Sequence, residues 1–279
     1  MTEDFGDCTA ACHPPTYIHK MLLGSSTGAL ELWNLRSQAR IHVFRSHLAG
    51  ITTRCAVTCL AEVPNVLDLI AVGFANGRIV IFHGKEDRVV MEFEQAQGRV
   101  TSLSFRTGAG APAHMVSGAP NGTFVVWDLD KRRAHHIRED AHHGPLSTAT
   151  FLPGQPLLIT SGRDNAIRTW IFDTADGLPR LLRSRIGCPG AVRKMSFYGG
   201  KDDRELLVGG AGFAAGFVAK VSFIRDAQNI EFSQTSMNKM HSSLRGMRSA
   251  DGKRLPPLTD LAYSEVRHFD WPAVITTHE

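Results

Sequence analysis

The chain has 279 residues, enough for one large domain or two small ones, and can bury a sizeable core without disulfide staples. Hydrophobic residues make up 43% and charged residues 21%, an ordinary globular balance that argues against a disordered chain, and no apolar run approaches the ~20 residues of a membrane-spanning helix. The formal charge of +4 is mildly basic, compatible with a nucleic acid partner without requiring one.

In chain order, the opening MTEDFGDC is acidic and shows no secretory signal, so the five cysteines read as reduced thiols. Cys8 with Cys12 and Cys55 with Cys59 have the spacing of paired metal ligands. However, Cys55 and Cys59 lie in RCAVTCL, which reads as a strand, where residues four apart are about 13 Å apart. Small core thiols are expected instead of zinc.

Four segments then repeat one pattern: GSSTGALELW (24–33), GFANGRIVIF (73–82), GAPNGTFVVW (118–127) and SGRDNAIRTW (161–170). Each runs from a small residue through a tight turn into an alternating strand that ends on an aromatic. The turns are Thr27-Gly28, Asn76-Gly77, Asn121-Gly122 and Asp164-Asn165. Two-residue hairpin turns of this composition call for positive φ at both residues. The terminal aromatics Trp33, Phe82, Trp127 and Trp170 are spaced 49, 45 and 43 residues apart. Upstream strands ending at Leu60, Phe105, Phe151 and Phe197 repeat at 45, 46 and 46. A period near 40–45 residues of short strands is the signature of β-propeller blades. The fold expected is all-β: a partial WD40 propeller over residues 1–225, with four clear blades and one degenerate blade. The chain enters its first blade part-way through, at HPPTYIHKMLLGSSTG.

Trp33, Phe82 and Trp127 are expected as blade-core aromatics. In the blade ending at Trp170, a polar set of His142 or His143, Ser161, Asp164 and Trp170 is expected to form the hydrogen-bonded chain that ties a WD40 blade together. Such a buried network stabilises only when every member is satisfied.

LLVGGAGFAAGFVAKV (206–221) offers Gly210, Gly212 and Gly216 after an apolar run, with Glu231 about twenty positions on. Read alone, this resembles a dinucleotide phosphate loop. Yet Gly210 lies 13 residues after Phe197, as Gly118 does after Phe105 and Gly73 after Leu60. A fifth, irregular blade with glycines at close strand approaches is the better reading. No cofactor and no small-molecule substrate are expected.

The pairs His135-His136 and His142-His143 offer no persuasive metal set, and no catalytic Ser/His/Asp or Cys/His arrangement stands out. Basic residues gather at Lys131, Arg132, Arg133 and at Arg180, Arg183, Arg185. They are candidate RNA or partner contacts, with ordinary solvated loops as the other reading. Residues 226–257 read as a polar linker. Residues 258–279 read as a short helix over 258–271, capped by Thr259 or Asp260, followed by the start of a further blade.

The segments HPPTYIHKMLLGSSTGALELWNL (13–35), FLPGQPLLITSGRDNAIRTWIFD (151–173), GLPRLLRSR (177–185) and RLPPLTDLA (254–262) closely resemble the U3 small nucleolar RNA-associated protein 21 family. The resemblance covers most of the chain from His13 onward. It implies a non-enzymatic WD40 scaffold of the small-subunit processome, acting in pre-18S rRNA processing and 40S ribosome biogenesis. It also implies a nucleolar location and association with the UtpB group of propeller proteins, the U3 ribonucleoprotein and pre-rRNA, with no membrane role. A generic WD40 adaptor, such as a ubiquitin-ligase substrate receptor, is the alternative. Members of that family are much longer, with tandem propellers, so the chain reads as an interior piece. In the fifth blade the family's turn aspartate has no counterpart.

Overall fold

A computed structural model describes residues 5–14, 16–45, 54–64, 66–108, 110–174, 176–188, 190–198, 205–212, 216–222, 229–231, 256–264 and 274–279. They form five four-stranded antiparallel sheets and one two-stranded sheet, each a meander in chain order. Blade I holds β1 (Cys8–Cys12), β2 (Lys20–Ser25), β3 (Leu30–Asn34) and β4 (Ala39–Phe44). Blade II holds β5 (Val57–Glu62), β6 (Leu69–Phe74), β7 (Arg78–His83) and β8 (Arg88–Glu94). Blade III holds β9 (Leu103–Phe105), β10 (His114–Gly118), β11 (Phe124–Asp128) and β12 (Arg133–Arg138). Blade IV holds β13 (Leu146–Phe151), β14 (Leu157–Gly162), β15 (Ala166–Ile171) and β16 (Arg180–Ile186). Blade V holds β17 (Gly190–Tyr198), β18 (Glu205–Gly212), β19 (Gly216–Ser222) and β20 (Asn229–Glu231). A sixth, two-stranded sheet pairs β21 (Leu258–Tyr263) with β22 (Val274–His278).

Strand alternation explains why the sheets stack. On β6, Ile70, Val72 and Phe74 face blade I and pack with Leu22, Leu30 and Phe44. Ala71, between them, faces the other way, where Ile79 and Ile81 meet Met115 and Trp127 of blade III. A strand apolar at both parities has two faces to bury, and only a neighbour on each side can bury them. The same division recurs between blades III and IV, between IV and V, and between blade V and the two-stranded sheet. Successive inner strands touch, and residues of β1, β5, β13, β17 and β21 line a channel of about 560 Å³ together with residues around β9.

The hairpin turns differ from the expected geometry. Only the second residue of each pair has positive φ: Gly28 (86°), Gly77 (92°), Gly122 (83°) and Asn165 (56°). Gly77 N donates to Phe74 O, and Gly122 N to Ala119 O. These are three-residue loops, a type I turn followed by a left-handed residue, and the asparagine side chain fixes them by accepting from the backbone two residues on.

Three local expectations are corrected. Blade I is a complete sheet: Cys8–Cys12 is its inner strand, which Ala10 and Ala11 made too bland to read. Asn229–Glu231, inside the expected linker, is the outer strand of blade V. Leu258–Tyr263 is a strand, not a helix. The rest of the linker and residues 265–273 lie outside the described residues.

Candidate interaction surfaces

The most connected polar feature ties blade IV together. Asp164 precedes the left-handed Asn165 in the β14–β15 turn, which aims its carboxylate at His142, just ahead of β13. His142 Nδ1 lies 2.9 Å from Asp164 Oδ1, and His142 Nε2 lies 2.8 Å from Thr160 Oγ1. Trp170 Nε1 donates to the same hydroxyl at 2.9 Å. Thr160 accepts from Trp170, and its one hydrogen can go to Nε2 of a neutral His142, which leaves the ring proton on Nδ1 facing Asp164. Burial favours the same state and holds His142 below its ordinary pKa. Burial also works to raise the Asp164 carboxyl, but its hydrogen bonds to His142, the His143 backbone and Arg168 outweigh this and hold it below the usual range.

Two of the sequence-expected members move. Ser161 is not in the chain of bonds; its hydroxyl meets Thr148 Oγ1 at 2.8 Å, because one step along a strand reverses the face. His143 contributes only its backbone N–H and is exposed.

Blade III carries a second network that the sequence did not advertise. Trp127 Nε1 donates to Ser117 Oγ at 2.8 Å, and that hydroxyl bonds Gln95 Oε1. Gln95 is 2% exposed and donates onward to the carbonyls of Gly98 and Gly118. Gln95 thus stands where His142 stands. The legible signal was spacing: Ser117 and Thr160 each precede their tryptophan by 10 residues. Of the expected blade aromatics, Phe82 is fully buried and Trp127 nearly so. Trp33 is only half-buried, its Nε1 donating to Glu31, which also pairs with Arg40 at 2.9 Å.

His142 and His114 share a consequence for stability. Both are buried in the folded chain, and burial is the leading cause that lowers each pKa from the ordinary 6.5. The unfolded chain therefore binds more protons below pH 6.5, so stability is full above that value and is lost as pH falls toward the folded-state pKa values. Urea midpoints measured from pH 7.5 down to about 5 are expected to decline, with a shallower decline in His142→Gln.

The basic residues lie on the perimeter. Lys131 and Arg132 occupy the β11–β12 turn and Arg133 opens β12. Lys131 pairs with Asp128 at 3.1 Å. Arg180, Arg183 and Arg185 lie on β16, the outer edge of blade IV, where Arg180 pairs with Asp173 and Arg185 reaches the carbonyl of Ser222. The two groups sit on neighbouring outer strands, linked by a 2.7 Å contact from His135 Nε2 to the carbonyl of Asp176. They form a rim, well away from the channel.

The glycine cluster is an antiparallel hairpin in which Gly210 pairs with Phe217 and Ala211 with Gly216. No helix follows it among the described residues, so it lacks the helix N-terminus a pyrophosphate needs. In the paired register Gly209, not Gly210, is the counterpart of Gly73 and Gly118. A Cβ at Gly209 would lie 2.8 Å from Leu258 of the next blade, as one at Gly73 would lie 2.8 Å from Val100. The cysteines do not converge either. Cys12 Sγ faces Glu62 at 3.7 Å, and Cys59 is half-buried against blade III, where desolvation pushes its thiol up to about 12.

Residues 1–173 match the family model described as WDR36/Utp21 first beta-propeller. The chain belongs to the WDR36/Utp21 propeller family. It is 41% identical over 98% of its length to the U3 small nucleolar RNA-associated protein 21 homolog of Schizosaccharomyces pombe, covering 29% of that protein. It is 35% identical over 97% of its length to WD repeat-containing protein 36 of Homo sapiens, again covering 29%. The chain thus spans under a third of the curated relatives it matches. Among solved structures, the WD40 repeats of RRP9 superpose with a TM-score of 0.66 at 15% identity, covering 91% of this chain and 69% of that one, a likeness of fold. In this WDR36/Utp21 propeller the matched region ends just after β15, so blades I to III and most of blade IV, with both tryptophan networks, lie inside it.

Proposed function

We propose that this chain is a non-catalytic propeller scaffold of the small-subunit processome, acting in pre-18S rRNA processing in the nucleolus. Its partners are then the UtpB propeller proteins and the U3 ribonucleoprotein. The observation that carries the reading is membership of the WDR36/Utp21 family, whose relatives are named for association with U3 small nucleolar RNA. The geometry is consistent with a scaffold: the buried polar groups of blades III and IV are spent on holding blades together, and the loops and outer strands are what a partner can reach. Lys131, Arg132, Arg133, Arg180, Arg183 and Arg185 are proposed as the RNA-facing part of that perimeter.

Tagged chain should co-sediment with U3 RNA and early ribosome precursors. Failure to do so sinks the processome reading. Glutamate at Arg132, Arg133 and Arg183 should weaken retention of single-stranded RNA across sequences alike. It should also flatten the log-affinity against log-salt slope by about 0.7 for each phosphate no longer neutralised. An unchanged slope would return these residues to ordinary solvated positions.

A further inference from the structure

A groove of about 360 Å³ lies between the β1–β2 loop of blade I and the β5–β6 loop of blade II. Its wall is apolar: Pro14 on one side, Val63, Pro64 and Leu67 on the other. The loops are tied by Thr16 Oγ1 donating to Asp68 Oδ1 at 2.7 Å, and Asp68 itself is held at φ 60° with its carbonyl accepting from Gly84 N. The groove is thus a built shape with a fixed lip. Adjacent aliphatic side chains of that lip stand in the open: Leu67 is 73% exposed and Val66 51%. Clustered exposure of this kind marks an interaction site, whereas scattered single residues do not.

Charge says what fits. Two carboxylates, Glu62 and Asp68, line the groove. Neither forms an ion pair with a lysine or arginine among the described residues. Glu62 is half-buried, and the donor it has is the thiol of Cys12 at 3.7 Å, a weak one. Burial raises its pKa, and the Cys12 thiol and nearby His13 offset this only in part. The nearby Lys20 is engaged over the ring of Tyr17, 4.7 Å from its centroid. The sign of the two carboxylates favours a cationic partner over RNA.

We infer that this groove docks an extended segment of a partner protein in which aliphatic side chains flank an arginine or lysine, the aliphatics on Val63, Pro64 and Leu67 and the cation on Glu62. This surface is distinct from the basic rim of blades III and IV, and the inference stands whether or not the processome reading does.

The test uses the full chain and a fluorescent peptide of leucine and valine around one central arginine, with counterparts carrying glutamine or glutamate there. The arginine peptide is expected to bind, the glutamate peptide not. Glu62→Gln should weaken the arginine peptide about tenfold, the factor for removing one charge-assisted hydrogen bond, and leave the glutamine peptide unchanged. Leu67→Asp should abolish binding of both while keeping the thermal midpoint, because the side chain is in solvent; Leu182→Asp on the distant β16 should change nothing. The inference is overturned if arginine and glutamate peptides bind alike, if no arginine peptide binds, or if Leu67→Asp has no effect. It is overturned too if Leu67→Asp instead dissolves a concentration-dependent dimer, which would make a second copy the occupant.

Discussion

Trp170→Ala is expected to destabilise the chain by about 3–5 kcal/mol, the range for removing a large aromatic from a packed core. The residue is 2% exposed and sits in the seam between blades III and IV. Its ring meets the edge of Phe124 at 5.2 Å, and the Arg138 guanidinium lies 5.2 Å over its face. Truncation opens a cavity in that seam and strips Thr160 of its donor. The hydroxyl, still bonded to His142, is left with an unfilled acceptor in a dry site, and the chain from Trp170 to Asp164 loses its end. Trp170→Phe weights the second contribution: it loses the N–H, worth about 1 kcal/mol, and only part of the ring volume. Trp33→Ala should fall well below Trp170→Ala, since Trp33 is half-buried and its partner Glu31 keeps Arg40. Urea denaturation of the three variants orders them. A wild-type midpoint for Trp170→Ala would mean the blade register is wrong.

The architecture was legible because propeller blades repeat what they need: a tight turn, an alternating strand and a terminal aromatic. What the sequence left unread follows from register. Ser161 and Thr160 are both plausible hydroxyls, and only pairing places Trp170 opposite Leu158, two steps from Thr160 on one face. Gln95 is one ordinary glutamine among polar neighbours until the turn at Gly77 is seen packed against its carbonyl. Leu258 and Leu261, three apart, imitate a helix period. A bulge between Leu258 and Asp260 shifts the strand by one residue, so both leucines reach blade V. The groove under Leu67 was invisible for another reason. It joins two loops about fifty residues apart, and an exposed aliphatic in a loop signals nothing until its neighbours are known.

Gly210→Ala is the sharper trial of blade V, and it decides what the glycine run is for. A Cβ at this position would collide with the carbonyl oxygen of Ala191 on β17 and lie 3.0 Å from the Phe217 ring. The obstacle is backbone, so no rotamer change relieves it. The strand must shift, and β18 is held on both sides by β17 and β19. Overpacking of this sort costs about 1–3 kcal/mol, and more where backbone must move. Gly144→Ala is the control, since its Cβ would find only Arg163 at an ordinary 3.7 Å. The expected result is a lowered midpoint for Gly210→Ala, an unchanged one for Gly144→Ala, and no heat on titrating NAD or ATP into any of the three proteins. A phosphate loop would give the opposite pattern, with nucleotide binding in the parent chain, abolished in Gly210→Ala with the fold intact. The hairpin geometry predicts the first pattern because the glycines are filled from outside by neighbouring strands: Ala191 lies against Gly210, Leu258 against Gly209 and the Pro256 carbonyl against Gly216. Three approaches from two blades leave those positions no room for a pyrophosphate.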